Sequence, residues 1–216
     1  ALQQRKVLLA EAETGTGKSF AGLVPAILWA VEYNRTVVVS TATIALQDQY
    51  CRKDLPILQE AFAALGIEFR WSKAQGRGNY YCQESKGCEL PEFADYQEQI
   101  SDWLLQTETG DFNELMFDIK SARLGPLYEG NRADAEDCPG ARKCPSGDQC
   151  YFFRARAQNE GAHVLVCNHA LLALNERCER LILPAYHALI VDEAHQLERS
   201  VRGAWEDSLS ARRCYK

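Results

Sequence analysis

The sequence predicts an α/β domain built on a parallel sheet and interrupted by an inserted, mainly helical subdomain. Three observations carry this. Residues 36–40 read T-V-V-V-S, a β-branched run of the kind shown by a strand covered on both faces. Short apolar runs alternate with segments of helical periodicity, the pattern of strand–helix–strand units. The alternation fails between residues 76 and 150 and then resumes, so that stretch is an insertion. With 216 residues, 46% apolar and 25% charged, the chain is long enough for one sizeable core plus such an insertion.

Element by element, residues 7–10 (V-L-L-A) form a short strand candidate that opens into a Gly-containing turn. A helix is expected over Lys18–Glu32, with Phe20, Leu23, Ile27 and Leu28 as its apolar contacts. The β-branched strand follows, then helical segments around 44–50 and 55–65, and further strands at 67–71, 163–167 and 188–191. Inside the insertion, Phe93, Tyr96, Ile100, Trp103 and Leu104 recur at helical spacing, as do Phe112, Leu115, Met116 and Ile119, which predicts two amphipathic helices with these side chains as core. The expected division is a main domain of residues 1–75 and 151–216 around an insertion of residues 76–150.

No apolar run approaches the length of a membrane span and the N-terminal residues lack a secretory stretch, so the chain is read as cytoplasmic and without a membrane partner. Nine cysteines would suggest disulfides in a small secreted protein, but the number is odd and the chain is not small, which turns attention to metal binding. The net charge of −6 argues against nonspecific coating of nucleic acid, since that is driven by Lys and Arg on phosphates. The acidity is concentrated: residues 82–150 hold 15 Asp and Glu against 6 Lys and Arg.

Residues 12–19 read A-E-T-G-T-G-K-S and fit the phosphate-binding pattern G-x-x-x-x-G-K-[ST], with Ala12 in place of the first Gly. Gly15 and Gly17 let backbone N–H groups turn inward at a helix N-terminus, where the helix dipole also favours anions. Lys18 is placed to reach the β- and γ-phosphates and Ser19 to ligate Mg²⁺. Thr14, Gly15, Thr16, Gly17, Lys18 and Ser19 are thus the candidate ATP contacts. Downstream, residues 188–191 lead into Asp192-Glu193-Ala194-His195, an acidic pair at the end of an apolar strand, where an α/β sheet builds its active site. Asp192 would hold Mg²⁺, and Glu193 would orient and deprotonate the attacking water.

The phosphate loop, S-T-A-T-I-A-L-Q-D-Q at 40–49 and D-E-A-H at 192–195 resemble motifs I, Ia and II of superfamily 2 helicases. The resemblance implies a P-loop, RecA-like motor domain in which the segment around Thr41 contacts single-stranded nucleic acid and His195 couples the ATP site to a second motor domain.

Cys138, Cys144 and Cys150 are separated by five residues each, and Cys82 follows G-R-G-N-Y-Y. One distant and three close thiolates can enclose a metal centre; Cys88 rivals Cys82 as the distant one. Structural zinc usually brings C-x₂₋₄-C pairs, which are absent, whereas an iron–sulfur cluster accepts four thiolates on wider loops. G-R-G-N-Y-Y-C, the three later cysteines and V-L-V-C-N-H-A-L-L at 164–172 resemble the DinG branch of the DinG/XPD helicases. That resemblance implies a [4Fe–4S] cluster on Cys82, Cys138, Cys144 and Cys150, inserted between motifs Ia and II. Cys51, Cys167, Cys178 and Cys214 are read as ordinary thiols, Cys167 as buried in its strand.

The resemblance further implies an ATP-dependent DNA helicase, 5′ to 3′ on single-stranded DNA, acting in DNA repair or replication on single-stranded or forked DNA. Arg77 and Arg154, with Arg142, Lys143 and Arg156, flank the cysteines as candidate phosphate contacts, and Tyr80, Tyr81, Tyr151 and Phe152 offer stacking faces. The chain is expected to be the first motor-domain part of a monomeric parent whose second motor domain lies outside it, so that alone it would bind and hydrolyse ATP poorly. Two other readings stand beside this one: a P-loop kinase or GTPase, for which no N-K-x-D motif is evident, and a metal-cluster nucleic-acid-binding module without turnover.

Overall fold

The structure is a computed structural model that describes residues 1–4, 6–13, 16–134 and 137–206. In chain order its helices are α1 (Lys18–Glu32), α2 (Ile44–Gln49), α3 (Leu55–Ala64), α4 (Ala94–Leu104), α5 (Gly125–Asn131), α6 (Tyr151–Asn159), α7 (His169–Arg177) and α8 (Leu197–Trp205). Its strands are β1 (Val37–Thr41), β2 (Trp71–Lys73), β3 (Val164–Asn168) and β4 (Ala188–Val191). The chain divides into two units, Ala1–Ala74 with Asn159–Lys216, and Gln75–Gln158.

In the first unit the strands form one all-parallel sheet in the order β2-β3-β1-β4, with Val37 opposite both Val164 and Ala188. This is the α/β class that the strand–helix alternation predicts, and it agrees with the RecA-like domain that the helicase resemblance implies. Strand alternation explains the layering. Val39, Val164 and Val166 point to the face covered by Leu23 and Ile27 of α1 and by Leu55, Leu58 and Phe62 of α3. Val38, Leu165 and Cys167 point to the opposite face, against Leu171 and Leu172 of α7 and Leu183. β1 is therefore buried at all five positions, as a doubly covered strand must be. Each such Val or Leu contributes about 1.5–3 kcal/mol on leaving water.

Helices α2 and α3 are the ends of one helical stretch joined by a π-helical turn, Tyr50–Asp54. The residue after Leu55 explains the widening: Pro56 has no N–H to return to the carbonyl four residues back, at Arg52. Gln47 anchors the start of this stretch, its buried Nε2 donating to Ala74 O at 2.8 Å and Val166 O at 2.9 Å.

Two strand expectations are corrected. Residues 7–10 lie in no strand of the described sheet, and Val7, Leu8 and Leu9 are 99%, 74% and 89% exposed. An apolar run becomes a strand only when a sheet edge accepts its ladder and covers its side chains, and these residues have neither. The strand expected at 67–71 begins instead at Trp71. Before it, Arg70 is tied to His163, taking its backbone N–H on Arg70 O (2.8 Å) and donating its own to His163 Nδ1 (3.0 Å).

That second bond requires a neutral Nδ1. Burial first, then the charge of Arg70, hold His163 below the ordinary value of 6.5. The unfolded chain therefore takes up this proton before the folded one does. Stability contributed by neutral His163 is complete above about pH 6.5 and is lost as pH falls toward the folded-state value. Replacing His163 with Gln is expected to flatten the decline in urea midpoint between neutral and mildly acid pH; an unchanged slope would remove His163 as its source.

In the second unit, α4 packs Ile100 with Phe93, Phe112, Ile119, Leu124 and Leu127. The other expected helix is corrected. Only Phe112–Glu114 forms a 3₁₀ turn, started by the Asp111 side chain accepting from Asn113 N–H, and the backbone is extended at Leu115. Phe112 and Ile119 still reach the core while Met116 is 97% exposed, because Asp and Asn side chains here compete for backbone N–H groups and favour turns. Gly110 has a left-handed backbone, and a Cβ there would lie 2.3 Å from the Tyr151 ring, so no other residue fits without rearrangement.

Candidate nucleotide site and thiol cluster

The nucleotide candidates gather at the carboxyl end of the sheet. Gly17 takes the left-handed conformation (φ 83°, ψ 23°) that turns the chain into α1, and the Thr16 hydroxyl donates to Glu13 O at 2.7 Å. Thr14 and Gly15 lie outside the described residues. Lys18, at the first turn of α1, places Nζ 3.3 Å from Glu193 Oε1. Two residues 175 apart in sequence are thus brought into an ion pair by the β4–α1 geometry.

Glu193 itself has a left-handed backbone (φ 52°, ψ 48°), uncommon for a side chain of its size and costing on the order of 1 kcal/mol. Asp192 just before it is held by the β1–β4 ladder, its N–H donating to Ser40 O at 2.9 Å. His195 Nδ1 lies 3.6 Å from Glu193 Oε2, with its ring largely exposed. Tyr50, from the π turn, donates its hydroxyl to Asp192 Oδ2 at 3.2 Å. Ser19 near the start of α1 and Asp192 directly after β4 are two hard oxygen donors of the kind that suits the Mg²⁺ that accompanies a nucleotide. Burial above all pushes the Tyr50 phenol up to about 12; nearby Ser19 opposes this and Asp192 adds to it.

Thr41 is buried, its hydroxyl directed to Thr43 O (3.1 Å) and Cys167 O (3.4 Å). On this segment the exposed hydroxyl is that of Thr43, which caps α2 by accepting from Leu46 N–H. Cys167 is buried, which pushes its thiol up to about 12.

In the second unit, Cys82 follows two isolated bridges, Tyr80 to Asp111 and Tyr81 to Arg132, and its N–H donates to Asn131 O at 2.9 Å. Cys138, Cys144 and Cys150 punctuate a run of tight turns closed by bonds such as Cys144 N to Gly140 O (3.0 Å) and Gly147 N to Cys144 O (3.0 Å). The two loops meet where the Ser146 hydroxyl bonds to Glu84. Burial raises the Cys82 thiol, the Glu84 backbone opposes this, and the thiols of Cys150, Cys138 and Cys144 push upward in turn. All four thiols thus share one neighbourhood, whereas Cys88 packs on the apolar cluster around Phe93 and Ile100. Among the described residues no three His, Cys, Asp or Glu side chains stand close enough to share a single metal ion.

Comparison with known proteins shows helicase relatives. The chain is 36% identical over 211 residues to the ATP-dependent helicase DinG of Mycobacterium tuberculosis, covering 88% of this chain and 31% of that protein. It is 31% identical to the ATP-dependent DNA helicase YoaA of Haemophilus influenzae, over 100% of this chain and 34% of that protein. It is 32% identical to the ATP-dependent DNA helicase DinG of Photobacterium profundum, over 93% of this chain and 30% of that protein. This chain is DinG-like. It spans about a third of the length of these relatives. No family model matches it.

In this DinG-like chain the remaining nucleic-acid candidates are differently disposed. Arg154 and Arg156 are exposed on α6. Arg77 instead lays its guanidinium over Phe152 (4.9 Å to the ring centroid) and Phe153 (5.7 Å). Three residues of the nucleotide region escape sequence reasoning: Tyr50, Gln47 and His169. His169 is fully buried, its Nδ1 2.7 Å from Ser40 Oγ, and burial lowers its basicity against the opposing backbone of Glu193 and Asp192. Its position directly after an apolar strand, in V-L-V-C-N-H, is the available signal; a tyrosine on an apolar helical stripe carries none.

Proposed function

We propose that this protein is an ATP-dependent DNA helicase whose first unit is the nucleotide-binding face of a motor and whose second unit carries a [4Fe–4S] cluster on Cys82, Cys138, Cys144 and Cys150. The observation that carries the motor reading is the Lys18–Glu193 ion pair, which joins the phosphate loop to the acidic motif. It also suggests an order of events. Nucleotide phosphates draw the Lys18 ammonium away from Glu193, and the released carboxylate becomes the base that orients and deprotonates water. Ser19 and Asp192 would hold Mg²⁺, which would supply neutralisation of charge on the phosphates. His195, exposed beside Glu193, is the candidate link to a second motor domain.

The cluster reading rests on the donor set. Four thiols collected on two loops, spaced more widely than the C-x₂₋₄-C pairs of structural zinc, suit a cluster better than a single zinc ion. When bound, the cluster supplies either electron transfer or a covalent brace between the loops. Cys82 is preferred over Cys88 because Cys150, Cys138 and Cys144 lie near enough to act on its thiol, whereas Cys88 packs on the apolar cluster. DNA contacts are assigned to the segment around Thr41, to Arg77 and to Arg154, with polarity 5′ to 3′, a monomeric cytoplasmic parent with a second motor domain, and a role in repair or replication. Among the described residues no helix is long and apolar enough to cross a membrane.

The test is ATP hydrolysis by the full-length protein with and without single-stranded DNA, together with strand separation on duplexes bearing a 5′ or a 3′ tail. DNA-stimulated hydrolysis with separation of 5′-tailed duplex is expected. DNA binding with no hydrolysis under any condition would instead favour a cluster-bearing binding module.

A further inference from the structure

Tyr50 is 3% exposed, on a π-helical turn inside a stretch that is otherwise α-helical. Such turns re-aim side chains and recur at functional sites. Here the turn carries the phenol to the end of β4, and its ring packs in the core cluster with Leu23, Leu55 and Val39. Its hydroxyl donates to Asp192 Oδ2 at 3.2 Å. An ionised carboxylate only accepts, so the phenol is the donor and its proton fixes the orientation of Asp192.

We propose that Tyr50 is a positioning residue whose hydroxyl orients Asp192 for the magnesium that accompanies the nucleotide. It acts through the carboxylate it holds, as outer-shell partners do at metal sites generally. The inference rests on the ATP-site reading and adds to it a residue that no motif contains.

The experiment measures ADP binding to the full-length protein by calorimetry across a Mg²⁺ series, with thermal unfolding alongside, for wild type and for Tyr50→Phe, Tyr50→Leu and Ser19→Ala. Tyr50→Phe keeps the ring and is expected to raise the half-saturating Mg²⁺ by about tenfold. ADP affinity at saturating Mg²⁺ and the Tm should be unchanged. Tyr50→Leu should show the same Mg²⁺ shift with a lower Tm, separating the hydroxyl from the packing of the ring. A shift in Tyr50→Leu alone, or none in either variant while Ser19→Ala shifts, would overturn the role of Tyr50 and leave the ATP site standing. Absence of Mg²⁺-dependent ADP binding in wild type would overturn both.

Discussion

Glu193→Gln is expected to cut ATP turnover by roughly 10²–10⁴-fold, the range lost with a positioned general base, while leaving nucleotide binding intact or tighter. The direction of the binding effect follows from the ion pair. Lys18 Nζ sits 3.3 Å from Glu193 Oε1, so phosphates would compete with a carboxylate for the ammonium. Glutamine keeps the shape and removes that competitor. Lys18→Ala should lose both hydrolysis and affinity, because the ammonium itself is the phosphate contact. Single-turnover hydrolysis and equilibrium ATP binding on the full-length protein separate the two variants. A Glu193→Gln protein that turns over ATP at the wild-type rate would take Glu193 out of the chemistry.

Cys144→Ser is expected to abolish the cluster and destabilise the unit that carries it. A serine hydroxyl stays protonated where a thiolate would ligate iron, and the binding energy of a metal centre is also folding energy for the loops that enclose it. The apolar core of that unit is centred on Ile100, Phe112 and Leu127, and the loop from Cys138 to Cys150 is held otherwise by short turns. About four irons per chain, with matching sulfide, should fall to background in anaerobically prepared Cys144→Ser, with loss of visible absorption. Cys88→Ser should retain them, because Cys88 packs on the apolar cluster around Phe93 and Ile100. Mg²⁺-dependent ADP binding should survive in both, since Lys18, Ser19, Asp192 and Glu193 all belong to the other unit. Full iron content in Cys144→Ser would remove that residue from the ligand set.

The legible parts of this protein are those whose meaning is local. The phosphate loop works through backbone N–H groups, a lysine and a hydroxyl within eight consecutive residues, so spacing and composition suffice to recognise it. The doubly buried strands are legible for a similar reason: V-V-V and V-L-V-C have the same apolar character on both faces, and the structure covers both faces. Legibility fails where a partner decides. Residues 7–10 have strand composition and no sheet neighbour among the described strands. Residues 112–119 have helical apolar spacing, but Asp111 and Asp118 take the N–H groups of Asn113 and Lys120 and produce turns that still deliver Phe112 and Ile119 to the core. Thr41 is marked by its motif, yet its side chain points inward and Thr43 presents the exposed hydroxyl.

By itself, the sequence determined the α/β class, the residues that would meet a nucleotide and the four cysteines worth joining, because these depend on residue type and short-range order. Only the tertiary structure decided which distant groups become neighbours. It set Lys18 against Glu193, joined the Tyr50 phenol to Asp192, and brought the Cys82 thiol into the neighbourhood of Cys138, Cys144 and Cys150. The physical reason is common to all three. A contact across more than a hundred residues, or between two loops, is set by how strands order in a sheet and how a helix turn is wound, as at the π-helical turn Tyr50–Asp54.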